Sequence, residues 1–142
     1  MLMTAAGWAS AAPGLQCHSQ RRMGGGEGLL QMAVQAQFEG GEMVAVALDT
    51  TSVALATNTG ATCSAAFKRG APYTTWRREG RALRIATSEA EVDGPSALVV
   101  QRSRQGYVLD LAGLSRASCG ARADWPSRVV VPLQGGVCRT GW

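Results

Sequence analysis

A repeating rhythm of short β-forming runs and turn signals fills most of the chain and limits what it can fold into. Leu30, Met32, Val34, Ala36 and Phe38 alternate with Gln31, Gln35 and Gln37. A period of two places the first set on one face and the glutamines on the other, which is the pattern of a half-buried strand. Glu39-Gly40-Gly41-Glu42 follows. A Gly-Gly pair supplies the positive φ angles of a tight hairpin turn, so Met43 to Leu48 is expected to return as the second strand. Further β-like runs stand at 52–57, 61–67, 73–78, 82–87, 97–102, 107–111 and 129–133. Between them lie Asn58-Thr59-Gly60, Gly70-Ala71-Pro72, Glu79-Gly80, Asp93-Gly94-Pro95, Gln105-Gly106 and Gln134-Gly135-Gly136, each with turn chemistry. The pattern predicts an all-β fold, a small antiparallel barrel or sandwich of about eight strands. Only residues 88–93 or 112–118 leave room for a short turn of helix.

With 142 residues, of which 46% are hydrophobic and 17% charged, the chain is too short for two ordinary domains and too apolar for disorder. Aromatic residues are few, so the core is expected to be built from Val, Leu, Ile and Ala, a thin core that covalent staples would support. Residues 29–142 read as the single β domain. Residues 12–28 read as an N-terminal segment whose Gly24-Gly25-Gly26-Glu27-Gly28 run forms a flexible joint.

Met1 to Ala12 carries no charge and contains Ala9-Ser10-Ala11, which fits the cleavage pattern of a secretory signal peptide. The positive segment that normally opens such a peptide is missing, so residues 1–11 read as a truncated remnant, and the expected location is periplasmic or secreted. Export changes how Cys17, Cys63, Cys119 and Cys138 read, because disulfides persist outside the cytosol. The even count and wide spacing predict two disulfides, and Cys119 and Cys138, closest in sequence, favour the pairing Cys17–Cys63 with Cys119–Cys138. A lipid anchor on Cys17 is disfavoured by Gln16, where such a site takes a small residue. No C-x-x-C pair exists and His18 is the only histidine, so no zinc site, other metal site or cofactor is expected. No run reaches the length of a membrane span.

Catalytic constellations are sparse, and no catalytic residue is assigned. His18 lacks a Gly-x-Ser-x-Gly elbow elsewhere in the chain, and paired cysteines leave no thiolate nucleophile. Glu89, Glu91 and Asp93 read as a solvated acidic loop. The densest charge feature is Lys68-Arg69, Arg77-Arg78, Arg81 and Arg84, interleaved with Phe67, Tyr73 and Trp76. Arg and aromatic side chains on neighbouring strands suit an acidic protein cleft, and export makes nucleic acid the less favoured ligand. Trp125, held extended by Pro126, is expected to pack on the sheet.

Thr59-Gly60-Ala61-Thr62 followed by Trp76-Arg77-Arg78-Glu79-Gly80 resembles the Ser-Gly-x-x-Tyr and Trp-x-Lys-Gly segments of the small periplasmic and membrane-bound inhibitors of c-type lysozyme. Thr59 stands where that family has Ser, and Glu79 where it has Lys. The resemblance covers a short central stretch and implies a secreted β-barrel that plugs a carboxylate-lined cleft. It points to Thr59, Arg77 and Arg78, with Trp76 as support, as the partner-binding residues. The expectation is therefore a non-enzymatic, exported inhibitor or immunity-type protein whose partner is a peptidoglycan hydrolase. The alternative is an envelope structural or assembly module binding protein or glycan.

Overall fold

The computed structural model describes residues 14–23, 28–57, 59–88, 96–114 and 125–141. Residues 1–11, read above as a signal remnant, most of the Gly-rich run, the acidic segment with its Asp93-Gly94-Pro95 turn, and Cys119 all lie outside the described residues. Eleven strands follow in order: β1 (Gly14–Met23), β2 (Gly28–Glu39), β3 (Glu42–Ala54), β4 (Thr59–Lys68), β5 (Thr74–Glu79), β6 (Ala82–Thr87), β7 (Ser96–Arg102), β8 (Gly106–Asp110), β9 (Arg128–Pro132), β10 (Gly136–Val137) and β11 (Arg139–Gly141). They form two sheets, β10-β1-β2-β3-β4 and β11-β9-β8-β7-β6-β5. The fold is all-β as expected, but the sheets stay open and do not close into a barrel.

The runs β1-β2-β3-β4 and β5-β6-β7-β8 are antiparallel meanders, which is what short strands joined in sequence order produce. Gly40 and Gly41 take φ of 59° and 82° in the β2–β3 turn, the double positive φ of a type I′ hairpin. The alternation in β2 holds, with Leu30, Met32, Val34 and Ala36 buried and Gln31, Gln35 and Gln37 exposed. In β3, Met43 and Val46 are both buried although an odd spacing should put them on opposite faces. A bulge resolves this, because Phe38 pairs with Met43 and Gln37 with Ala45, leaving Val44 as the extra residue.

The inner faces meet in one core. Met32, Val34, Val46, Leu48 and Phe67 come from the first sheet, and Ile85, Leu98, Leu109, Val129 and Val131 from the second, with Trp125 packed in as expected. Of the alanines expected in this core, Ala36 is fully buried, while Ala33, Ala45 and Ala47 alternate outward onto the other side of the first sheet.

The N-terminal segment is the main departure from the sequence reading. Residues 14–23 form β1, which pairs with β2 from Gly14↔Gln37 to Met23↔Gly28. The runs 43–48 and 52–54 merge into β3, residues 55–57 turn instead of extending it, and the segment after β9 adds β10 and β11, so eleven strands replace about eight. After β9 the chain crosses to the first sheet, where β10 lies parallel to β1, with Cys17↔Gly136 and His18↔Val137 in register. It then returns as β11 beside β9.

The cysteines correct the expected pairing. Cys17 bonds to Cys138, with Cα atoms 5.0 Å apart, and this overturns both Cys17–Cys63 and Cys119–Cys138. The reason is the strand order. Cys63 lies on β4, three strand spacings from β1, which is about 14 Å and beyond the roughly 7 Å that a disulfide can bridge. Cys138 directly follows β10, the neighbour of β1, and its N–H donates to His18 O at 3.0 Å. The described residues thus hold one complete disulfide where two were expected. Cys63 is itself disulfide-bonded.

Among the described residues Thr50 is the one buried polar side chain, facing inward between Met32 and Cys63. Its Oγ1 has no hydrogen-bond partner. A desolvated, unpaired hydroxyl is costly, and valine has the same shape without it. Thr50→Val is expected to raise stability by about 1 kcal/mol, read as a higher denaturation midpoint at unchanged m-value. A fall of similar size would show that the hydroxyl is satisfied in solution.

Candidate functional site

The two sheets present outer faces of different chemistry. On the second sheet, the register aligns Arg77 with Arg84, Arg84 with Val99, Val99 with Asp110 and Asp110 with Arg128. The neighbouring row runs Glu79, Ala82, Gln101, Val108, Val130 and Arg139. Leu98, Val100, Leu109, Val129 and Val131 are buried, so alternation turns these two rows outward. The result is a half-buried patch of Val99, Val108 and Val130 with Arg77, Arg84, Arg128 and Arg139 and the carboxylates of Glu79 and Asp110 around it.

Trp76, Arg77 and Arg78, expected from the sequence to act together, are consecutive on β5, the edge of this sheet. Trp76 is half-buried and packs against the core, so it supports the strand from behind, and its Nε1 is buried without a partner. Arg77 points out and pairs with Glu79, Nη2 to Oε2 at 2.6 Å and Nε to Oε2 at 3.1 Å. Both side chains are largely exposed, at 67% and 46%, so the pair stabilises the fold little but holds the guanidinium in place. Arg78 is exposed on the side of Trp76, beyond the rim of the core.

Thr59 is not brought to this group. Its backbone pairs with Ala54 in the first sheet, whereas Trp76, Arg77 and Arg78 belong to the second, and its side chain is outside the described residues. Between β4 and β5 stands Tyr73, 60% exposed, with φ of 60°. A bulky residue in the left-handed region is strained, and such strain clusters at binding sites.

Sequence reasoning singled out Arg77 and Arg84 by proximity in the chain but missed Arg128 and Arg139 as members of the same surface. They lie more than forty residues downstream and join it only through the β6-β7-β8-β9 order. Arg139 Nη2 donates to Gln105 Oε1, and Arg102 lies 5.4 Å over the ring of Tyr107.

The outer face of the first sheet is nearly neutral. One row reads Val137, His18, Ala33, Asp49, Ser64. It contains the three residue types of a hydrolase triad in the wrong order. Ser64 Oγ donates to Asp49 Oδ1 at 2.6 Å, while His18 is separated from Asp49 by Ala33, about 10 Å across two strand spacings. A base must reach its nucleophile within hydrogen-bond distance, and His18 is a further strand from Ser64. Among the described residues no three His, Cys, Asp or Glu side chains gather as a metal site, and no helix is long and apolar enough to cross a membrane. No protein-family model, no curated protein and no solved structure matches this chain, so the reading of both faces rests on their residues and geometry.

Proposed function

We propose that the chain is an exported binding protein of the inhibitor or immunity type, whose arginine face engages the carboxylate-lined cleft of a cell-wall hydrolase. The observation that carries this reading is the outward row of Arg77 and Arg84, adjacent on β5 and β6. Arg128 and Arg139 extend this surface around an apolar centre, and the four arginines outnumber the two carboxylates, Glu79 and Asp110, in the same rows. Arginine to carboxylate contacts are strong when water is excluded, and interfaces are enriched in Arg and Tyr at their energetic centres. The Cys17–Cys138 disulfide is consistent with an oxidising compartment outside the cytoplasm.

A second reading, an envelope assembly module, is favoured by β4. This ten-residue edge strand pairs on one side only, with β3, among the described residues. An open edge of that length can accept an added strand.

Titration against c-type lysozyme and bacterial peptidoglycan hydrolases separates the two. The inhibitor reading expects turnover of cell walls to stop at an equimolar ratio. It also expects Arg77→Ala with Arg84→Ala to weaken inhibition by about thirtyfold or more, roughly 2 kcal/mol, with folding stability changed by less than about 0.5 kcal/mol. Undiminished turnover of every hydrolase at molar excess would remove the inhibitor reading.

A further inference from the structure

We infer that the outer face of the first sheet is a second binding site, for a neutral oligosaccharide chain. A hollow of about 600 Å³ opens there, lined by His18, Gln20, Gln31, Ala33, Asp49 and Thr51 among others. A second, of about 260 Å³, lies farther along the same face beside Gln35, Gln37 and Ala47. The register explains both. Ala33 sits between His18 and Asp49, and Gln37 pairs with Ala45 and Gln35 with Ala47. Short methyl side chains therefore form the floor, and longer polar ones form the walls. From Gln31 to Gln37 the track along β2 is about 20 Å long, enough for several sugar rings in line.

The chemistry of the walls selects the ligand. Carboxamides and hydroxyls both donate and accept hydrogen bonds, as sugar hydroxyls do, and here Gln20 stands directly opposite Gln31 and Gln16 opposite Gln35. Asp49 is the only carboxylate lining either hollow. Ser64 fixes its Oδ1, which orients Oδ2 as an acceptor for a hydroxyl. The charged groups here are few and of both signs, Asp49 in the first hollow and Lys68 in the second, with Arg22 beyond Gln20 on β1, so carboxamides and hydroxyls supply most of the polar contacts and an uncharged chain suits the face. Val137, 70% exposed at the rim beside His18, offers an apolar edge to ring C–H groups. Among the described residues the outward positions of β1 to β4 carry no aromatic side chain, so binding is weak per ring and gains from chain length. The site does not depend on the arginine face, and either can fail alone.

The test uses the intact, oxidised protein and two neutral probes, the tetramer of β-1,4-linked N-acetylglucosamine and maltotetraose, followed by amide and side-chain NH2 shifts in NMR. Saturable shifts at His18, Gln31, Ala33 and Asp49 with either probe are expected, with none at Arg84 or Arg128. Ala33→Phe, which fills the floor, is expected to weaken binding by about tenfold or more. Gln31→Ala, at an exposed position, gives the same reading if the larger side chain disturbs the sheet. Absence of shifts with both probes at tens of millimolar would overturn the inference. So would shifts confined to the second sheet, or unchanged affinity in Gln31→Ala and a folded Ala33→Phe.

Discussion

Replacing Cys17 and Cys138 together by Ala is expected to remove about 3–5 kcal/mol of stability and to lower the melting temperature by roughly 10–20 °C. The bridge spans a sequence separation of 121, close to the whole domain, so in the unfolded chain it removes the entropy of one of the longest loops this sequence could close. It also has a local role. β10 has two residues and β11 three, too few for either to hold by its own ladder. The link to Cys17 keeps the crossover between the sheets in place, together with the Cys138 N–H to His18 O bond. Hydrogen exchange in the double variant should therefore accelerate first over residues 138–141, well before the amides of β2 and β3. A loss below about 1 kcal/mol, or exchange that rises evenly over both sheets, would show that the crossover is held by its other contacts.

The strands that were legible in the sequence are those whose neighbours in space are also their neighbours in the chain. In β2, β5, β6, β7 and β8 the two-residue period and the flanking glycines carry the signal, and Gly80, with φ of 61°, turns β5 into β6 as expected. β1 was not legible as a strand. Gln16, His18 and Gln20 alternate with Leu15, Cys17 and Ser19, but Ser19 weakens the apolar side and the following glycines suggested a joint. Only the pairing with β2 supplies the burial that makes Gly14–Met23 extended. The disulfide was misassigned for a related reason. Sequence distance favoured Cys119–Cys138, whereas the order β10-β1-β2-β3-β4 sets β10 beside β1 and Cys63 at the opposite edge.

The surfaces were less legible than the strands, because a sheet face is assembled across strands. The cluster around Trp76 is visible in the chain, but Arg77 and Arg84 meet Arg128 only through Val99 and Asp110 on two intervening strands. The hollows were invisible for a different reason. Alanine is apolar, so composition assigns it to the core, yet Ala33, Ala45 and Ala47 alternate with Met32, Val46 and Leu48 and so fall on the outer side. Once placed there, their small size shapes the surface.

Gly106→Ala is expected to cost at least about 3 kcal/mol, more than most single changes on a strand. The sequence marks Gln105-Gly106 as a turn, and the hydrogen bond from Ser103 N to Gly106 O at 2.7 Å closes it. The larger constraint comes from the next strand. Gly106 has φ of 149°, and a Cβ built there would lie 1.9 Å from Val131 O and 2.9 Å from Pro132 Cα. Those atoms are backbone, so relief requires β9 to move away from β8, and Val131 on β9 is only 1% exposed in the core. Gly80 provides the comparison. It also has positive φ, at 61°, but a Cβ there meets nothing within 4 Å, so Gly80→Ala carries only the left-handed backbone penalty of about 1–2 kcal/mol. Denaturation of the two variants side by side distinguishes backbone conformation from close approach. Equal losses would mean that β8 and β9 can separate at Gly106 with little resistance, and a markedly larger loss at Gly106 would identify this contact as the point that fixes the register of the second sheet.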